Sequence, residues 1–175
     1  MFYKNSYQSP LGKIELLSED KAIVGLWFEN QKYYSSDYDL ATAITEDNPV
    51  IRATKAWLDD YFLGKKPDLV SLNLKPRVTE FRKMVLEILV TVSYGKTITY
   101  KEIADKINAQ FPEKKTSARA VGGAVGHNPI SILIPCHRVV GSDGSLTGYA
   151  GGVHRKRELL ILEGLKGENL HQGHI

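Results

Sequence analysis

The sequence predicts a mixed α/β (α+β) fold in two parts, a sheet with one helix followed by a mainly helical region. The first 30 residues alternate apolar and polar positions around short turns, which is typical of antiparallel strands. The second half repeats apolar side chains at helical spacing instead. The stretch "KPDLVSLNLKPRVTE", with two prolines, separates these patterns, so we expect domains at residues 1–75 and 76–175.

Three strands and one helix are predicted in the first domain. The strands are "MFYKNSYQ", "KIELLS" and "AIVGLWFEN", and the turns "SPLG" and "EDK" join them into an antiparallel meander. "NPVIRATKAWLDDYFLGKKPD" has helical periodicity and is closed by Gly64 and Pro67. One helix is therefore expected to cover one face of the sheet.

Four helical segments are predicted in the second domain. The first, "TEFRKMVLEILVTVSYG", has Thr79 as its N-cap and Gly95 as its stop. "TYKEIADKINAQF" and "TSARAVGGAVGHNP" follow with a loop between them, which is the spacing of a helix-turn-helix. "SLTGYAGG" is then expected to be a loop, and "VHRKRELLILEGL" a final amphipathic helix.

The composition indicates a soluble protein whose second half suits a polyanion. No run of residues approaches the roughly 18 apolar positions of a membrane span, and "MFYKNSYQSPLGK" lacks the basic-then-apolar order of a signal peptide. We therefore expect a cytoplasmic protein with no membrane partner. Residues 1–75 hold 9 Lys or Arg against 11 Asp or Glu, whereas residues 76–175 hold 14 against 9. Any nucleic acid would accordingly bind the second domain.

The chain has one cysteine, Cys136, within "IPCHRV". It can form no internal disulfide and no Cys-rich zinc site, which leaves packing or reactivity as its use. A thiol of pKa about 8.5 is only a few per cent ionised at neutral pH, so a nucleophilic Cys136 needs a base. His137 is adjacent, but neighbours on an extended strand point to opposite faces, so contact requires a turn or a bridging water. Glu163 is the natural third group to orient the His ring.

The segment "SARAVGGAV" has small side chains where a DNA-reading helix normally presents long polar ones. Two adjacent glycines cost about 1 kcal/mol each relative to Ala within a helix, so a small surface is needed there. Tight helix packing and entry into the minor groove, about 6 Å wide, both explain it. Arg119 is the one long side chain, either a plain surface charge or a group that fills the space of an extruded base.

Together, "TYKEIA", "SARAVGGAVGHNP", "PCHRV" and "TGYAGGVHRKRELLILEG" resemble the O6-alkylguanine-DNA alkyltransferases, a family of direct-reversal DNA repair proteins. The resemblance covers residues 79–165 with matching intervals, and the meander and helix fit the family's ribonuclease-H-like first domain. It implies that a monomer flips O6-alkylguanine out of double-stranded DNA and transfers the alkyl group irreversibly to a cysteine. No cofactor is implied, and activity on O4-alkylthymine stays open.

The resemblance also implies roles for five residues around the thiol. Cys136 is the alkyl acceptor, His137 acts through a water as its base, and Glu163 orients His137. Asn128 braces the turn between the recognition helix and the active site. Tyr100 lies near the 3′ phosphate of the flipped nucleotide and donates a proton or hydrogen bond to the purine N3.

Two further sets of residues follow from the resemblance. The base pocket is expected to be lined by Tyr149, Val139, Ala150 and Val125. The expected DNA-binding residues are Arg119, Ser117, Ala118, Ala120, Gly122 and Lys101, with Arg119 replacing the extruded base. Many relatives have Ser where this chain has Ala150, so a hydroxyl contact to O6 is missing. Some family members bind zinc in the first domain, but residues 1–75 contain no Cys or His, so no metal is expected.

Three other functions compete with alkyl transfer. Alkyltransferase-like proteins bind lesions without repairing them and resemble this motif with Trp in place of the cysteine, so Cys136 argues against that function. A helix-turn-helix transcription regulator is disfavoured because "SARAVGGAV" has almost no base-reading side chains. A Cys-His hydrolase would need an oxyanion hole, and it would turn over continuously instead of accepting one equivalent.

Overall fold

The computed structural model of the chain describes residues 1–171, which form two compact units. The first unit is Met1–Arg77 together with Pro129–Leu133, and the second is Val78–Asn128 together with the described residues from Ile134 onward. Among these residues, no helix combines the length and apolar character that crossing a membrane requires.

The first unit is built on a four-stranded sheet in the order β3-β2-β1-β4. The strands are β1 (Phe2–Ser9), β2 (Gly12–Glu19), β3 (Ala22–Phe28) and β4 (Ile44–Thr45). The first three are antiparallel neighbours, which confirms the predicted meander. β4 pairs with β1 in parallel.

Strand β3 explains why Pro129–Leu133 belongs to the first unit. All seven of its residues are buried, as expected of a strand covered on both faces. The Leu26 amide donates to the Pro129 carbonyl at 2.9 Å, and the Ser131 amide donates to the Leu26 carbonyl at 3.1 Å. This segment therefore satisfies backbone groups of β3 that the sheet leaves unpaired.

The predicted helix of the first unit is α1 (Pro49–Phe62), which packs on β1, β2 and β3. It begins where the Asn48 side chain accepts a hydrogen bond from the Ile51 amide at 3.0 Å. It ends just before Gly64, whose φ of +83° is accessible to glycine and reverses the chain.

The second unit is mainly helical and contains the predicted helix-turn-helix. Its elements are α2 (Glu80–Leu89), β5 (Ile98–Thr99), α3 (Tyr100–Gln110), α4 (Ala118–Gly126), β6 (Val139–Val140) and α5 (Val153–Leu162). β5 and β6 pair in parallel, and α2, α3 and α4 pack on one another. Asn108 fixes the turn between α3 and α4, because its side chain donates to the Thr116 carbonyl at 3.1 Å and accepts from the Thr116 amide at 2.7 Å.

Helix α2 begins as predicted and ends earlier than predicted. The Thr79 side chain accepts from the Arg82 amide at 3.3 Å, which confirms the N-cap. Gly95 as the stop is wrong, because the helix ends at Leu89. The β-branched run Val90, Thr91 and Val92 disfavours further helix, and the amides of Thr91 and Val92 tighten into bonds with carbonyls three residues back.

Candidate active site

Cys136 begins a short 3-10 turn, Cys136–Arg138, that leads into β6. The chain therefore turns at the thiol, which is one of the two arrangements that the sequence left open for Cys136 and His137. Cys136 is 3% exposed. Burial raises the pKa of its thiol, while a hydrogen bond from the Asn128 side chain and the charge of Lys156 lower it. The site thus contains a sheltered thiol with groups that favour its ionised form.

His137 is fully buried and held by Glu163. The His137 Nε2 atom lies 2.6 Å from Glu163 Oε2. An ionised carboxylate can only accept, so Nε2 carries the proton and Nδ1 keeps its lone pair. Burial lowers the pKa of His137 despite the opposing effect of Glu163. At neutral pH, His137 is therefore a neutral ring whose Nδ1 lone pair can accept a proton.

Arg138 keeps the Glu163 carboxyl ionised. Its Nε donates to Glu163 Oε1 at 2.8 Å, and its Nη2 donates to Oε2 at 3.0 Å. Burial alone would raise the pKa of Glu163, but His137 and Arg138 together hold it well below its usual range. The proton between His137 Nε2 and Glu163 Oε2 is thereby kept on the histidine.

Gly95, which does not end α2, instead contacts Glu163. Its amide donates to Glu163 Oε1 at 3.1 Å, and its φ is +78°. A Cβ at this position would lie 2.9 Å from the Glu163 backbone oxygen, closer than side-chain atoms approach. Both the turn and the close approach therefore require glycine.

Asn128 links the end of α4 to the residues that immediately precede Cys136. Its side chain is buried, and Nδ2 donates to the Ile134 carbonyl at 2.8 Å. The amide therefore spans residues 129–133 and also reaches Cys136. This geometry is that of a brace between the helix-turn-helix and the 3-10 turn.

The predicted pocket residues lie on several elements of the second unit. Tyr149, Val139 and Val125 are buried, and Ala150 is half-buried. Tyr100, at the start of α3, donates its hydroxyl to the Thr147 carbonyl at 3.1 Å. Burial raises the pKa of Tyr100, so the hydroxyl keeps its proton and stays a donor at neutral pH.

Helix α4 has one buried face and one exposed face of small residues. Val121, Ala124 and Val125 are buried. The exposed positions are Ser117, Ala118, Arg119, Ala120 and Gly123. Gly122 is half-buried against the ring of Tyr100. Arg119 is thus the one long side chain on a smooth face, as its sequence indicates.

Lys101, the remaining predicted DNA-binding residue, is exposed on α3 and pairs with Asp105 at 2.9 Å. An exposed pair of this kind contributes little to stability, so the ammonium can exchange partners at small cost.

Neither Arg138 nor Lys156 is among the predicted site residues, yet both contact the site. Lys156 lies on α5 and is fully buried. On α5, Lys156, Leu159 and Leu160 are buried, as is the C-cap residue Glu163, and the four follow i, i+3, i+4 and i+7 spacing. This spacing could have predicted from the sequence that Lys156 is buried, because a helical turn that places Glu163 inside also places Lys156 inside.

Comparisons with known proteins identify the family to which the chain is similar. Residues 80–165 match the model of the 6-O-methylguanine DNA methyltransferase DNA binding domain, and residues 2–76 match the ribonuclease-like domain of the same proteins. A methylated-DNA--protein-cysteine methyltransferase of Haemophilus influenzae is 38% identical, over 92% of this chain and 86% of that protein. One of Methanosarcina barkeri is 41% identical, over 92% and 96%.

Solved structures extend the likeness to the fold. A crystal structure of Mycobacterium tuberculosis OGT in complex with DNA aligns with a TM-score of 0.80 at 37% identity, covering 92% of each chain. The match therefore includes both units, and the relatives named above are similar over nearly their whole length. The chain belongs to the family of 6-O-methylguanine DNA methyltransferases.

Proposed function

We propose that this chain repairs DNA by moving the alkyl group of O6-alkylguanine to Sγ of Cys136, once per molecule. The observation that carries the proposal is the buried thiol beside a histidine whose tautomer is fixed by an ionised carboxylate. The names of the relatives support the class of reaction, since they are methyltransferases that act between methylated DNA and a protein cysteine.

The reaction begins when the thiol proton moves to His137 Nδ1, directly or through a water. The thiolate attacks the alkyl carbon, the S–C bond forms, and the C–O6 bond breaks with its electron pair going to guanine. Tyr100 supplies a proton at N3, so N3 takes the place of the Thr147 carbonyl as acceptor of its hydroxyl. After Tyr100 is reprotonated from His137 through solvent, the thiol proton has ended on guanine. The thioether product cannot be reversed by a base or water, so each molecule reacts once.

The DNA is bound as a duplex through its minor groove by a monomer, with α4 against the groove. The exposed small residues of α4 allow close approach of the backbone, and Arg119 fills the gap left by the flipped base. Tyr149, Val139, Ala150 and Val125 receive that base. O4-alkylthymine has the same exocyclic ether, so the same displacement applies to it.

Mass spectrometry tests the proposal directly. After mixing with a duplex that contains O6-methylguanine, the protein is expected to gain one methyl group, located by peptide mapping at Cys136. A second addition of substrate is expected to add nothing. Continued release of methylated small product, or a methyl group on another residue, would contradict the proposal.

Replacing Glu163 with Gln is expected to slow transfer by about 10-fold or more, as loss of an orienting group does elsewhere. The neutral amide no longer forces the proton onto Nε2, and Arg138 loses its counter-charge. The rate should be measured in single-turnover quench experiments at saturating protein.

Glu158→Gln is the matched control, because Glu158 lies on α5, the helix that ends at Glu163, and pairs only loosely with Arg157, at 3.8 Å. Its rate should equal that of the unaltered protein. Circular dichroism must show that Glu163→Gln is folded, since breaking a buried ion pair costs about 3–5 kcal/mol. An unchanged rate in folded Glu163→Gln removes this residue from the relay.

A further inference from the structure

Lys156 is a buried cation that the transfer chemistry described above does not use. Its side chain is fully buried, which is rare for lysine unless it is paired. Nζ donates to the Thr147 carbonyl at 2.9 Å and lies 6.0 Å from the centre of the Tyr100 ring. Among the residues that the structure describes, no carboxylate forms an ion pair with it. A buried ammonium held only by a neutral oxygen is costly, so its retention calls for a reason.

The charges around the thiol show which group can balance the positive charge of Lys156. Arg138 and Glu163 neutralise each other through two hydrogen bonds, and His137 is neutral. The phenol of Tyr100 stays protonated and adds no charge. When the thiol is protonated, the positive charge of Lys156 is therefore not balanced by any of these neighbours. Ionisation of Cys136 supplies the balancing negative charge.

Burial acts on Lys156 and Cys136 in opposite directions, and their attraction opposes both effects. Burial is the larger effect on Lys156 and outweighs the opposing charge of the Cys136 thiolate, so the pKa of Lys156 is lowered to about 8. Burial raises the pKa of the Cys136 thiol, and Lys156 lowers it. Each group thus makes the charged form of the other more favourable, as coupled sites do.

Lys156 also lies beside the proposed proton donor. The Tyr100 hydroxyl and Lys156 Nζ donate to the same Thr147 carbonyl oxygen. The ammonium therefore lies beside the group proposed to protonate guanine, and its charge also acts on the attacking thiol.

We propose that Lys156 is a positioning residue of the transfer reaction, whose buried ammonium stabilises the Cys136 thiolate and is itself placed by the carbonyl that also orients Tyr100. The proposal rests on the proposed function in taking Cys136 as the nucleophile.

Thiolate titration tests the proposal without DNA. Because the chain has a single cysteine, the ultraviolet absorbance of the thiolate, corrected with Cys136→Ser, reports Cys136 alone. Lys156→Gln keeps a donor for Thr147 and removes the charge, and it should raise the titration midpoint by about one pH unit or more, the usual effect of losing a nearby opposite charge. Lys156→Met should do the same, and Lys156→Arg should keep the midpoint close to that of the unaltered protein, because the positive charge is retained. Arg157→Met removes a charge from the same helix that contacts Glu158 and Gly167 instead, and should leave the midpoint unchanged.

Transfer from free O6-benzylguanine links the titration to the reaction. At neutral pH the single-turnover rate of Lys156→Gln should fall about 10-fold for each unit of midpoint shift, and it should recover as the pH is raised. A merely structural role would give a loss that alkaline pH does not restore. Thermal unfolding of Lys156→Gln and Lys156→Met should occur at the usual temperature or higher, because a buried charge has been removed.

The outcomes separate the two proposals. An unshifted midpoint in either folded variant overturns the role of Lys156, even if alkyl transfer to Cys136 is demonstrated. A shifted midpoint in a protein that accepts no alkyl group supports the charge coupling and overturns the proposed function instead.

Discussion

Cys136→Ser and Cys136→Ala are both expected to abolish alkyl transfer while leaving DNA binding largely intact. A serine hydroxyl ionises far less readily than a thiol and is a weak nucleophile unless strongly activated, and alanine has no nucleophile. The chain contains no second cysteine that could replace it. The proposed DNA surface is the exposed face of α4, which neither substitution touches.

The measurement counts methyl groups transferred from a labelled O6-methylguanine duplex and compares binding of the same duplex by mobility shift. Using both variants guards against misfolding, because Ser introduces a buried hydroxyl and Ala a small cavity, and these perturb the site differently. Thermal unfolding should show both proteins folded. Transfer above background by either variant would refute the assignment of Cys136 as acceptor.

Much of the fold could be predicted because its signals are local. The alternation in β1, β2 and β3 specifies the meander, and Thr79 and Asn48 cap helices through contacts with residues three positions away. The early end of α2 is different. Gly95 is a helix-stopping residue by type, but its positive φ serves a turn against Glu163, a contact 68 residues away.

The site itself could be predicted only in part, for the same reason. Cys136 and Glu163 stand out by rarity and position, whereas the residue types could not decide between the 3-10 turn found at Cys136–Arg138 and an extended strand with a bridging water. Lys156 lies in "HRKRE", a charged run that is typical of a solvated helix face. Only the helical phase shared with Leu160 and Glu163 places it inside. Long-range packing, which residue types do not encode one by one, decides these positions.

Arg119→Ala is expected to impair repair of a lesion in duplex DNA by about 10-fold or more, since a stacking contact with a base is worth about 1–3 kcal/mol. Transfer from free O6-benzylguanine should be nearly unchanged, because a free base needs no flipping. Arg119 is exposed among Ser117, Ala118 and Ala120, so its truncation removes the one long side chain and leaves the buried face of α4 intact.

Two further variants show whether Arg119 fills the vacated stack or merely contacts phosphate. Arg119→Lys should restore only part of the loss, because an ammonium cannot stack as a planar guanidinium does. Lys101→Ala serves as the comparison, since loss of an exposed phosphate contact weakens binding to lesion and normal DNA alike. It also reduces by about one the slope of the logarithm of the binding constant against the logarithm of salt concentration. Single-turnover rates on both substrates and the salt dependence of binding should be measured for all three proteins. If Arg119→Ala behaves as Lys101→Ala does, or if its transfer rate falls equally on the free base and on the duplex, the Arg119 side chain does not replace the extruded base.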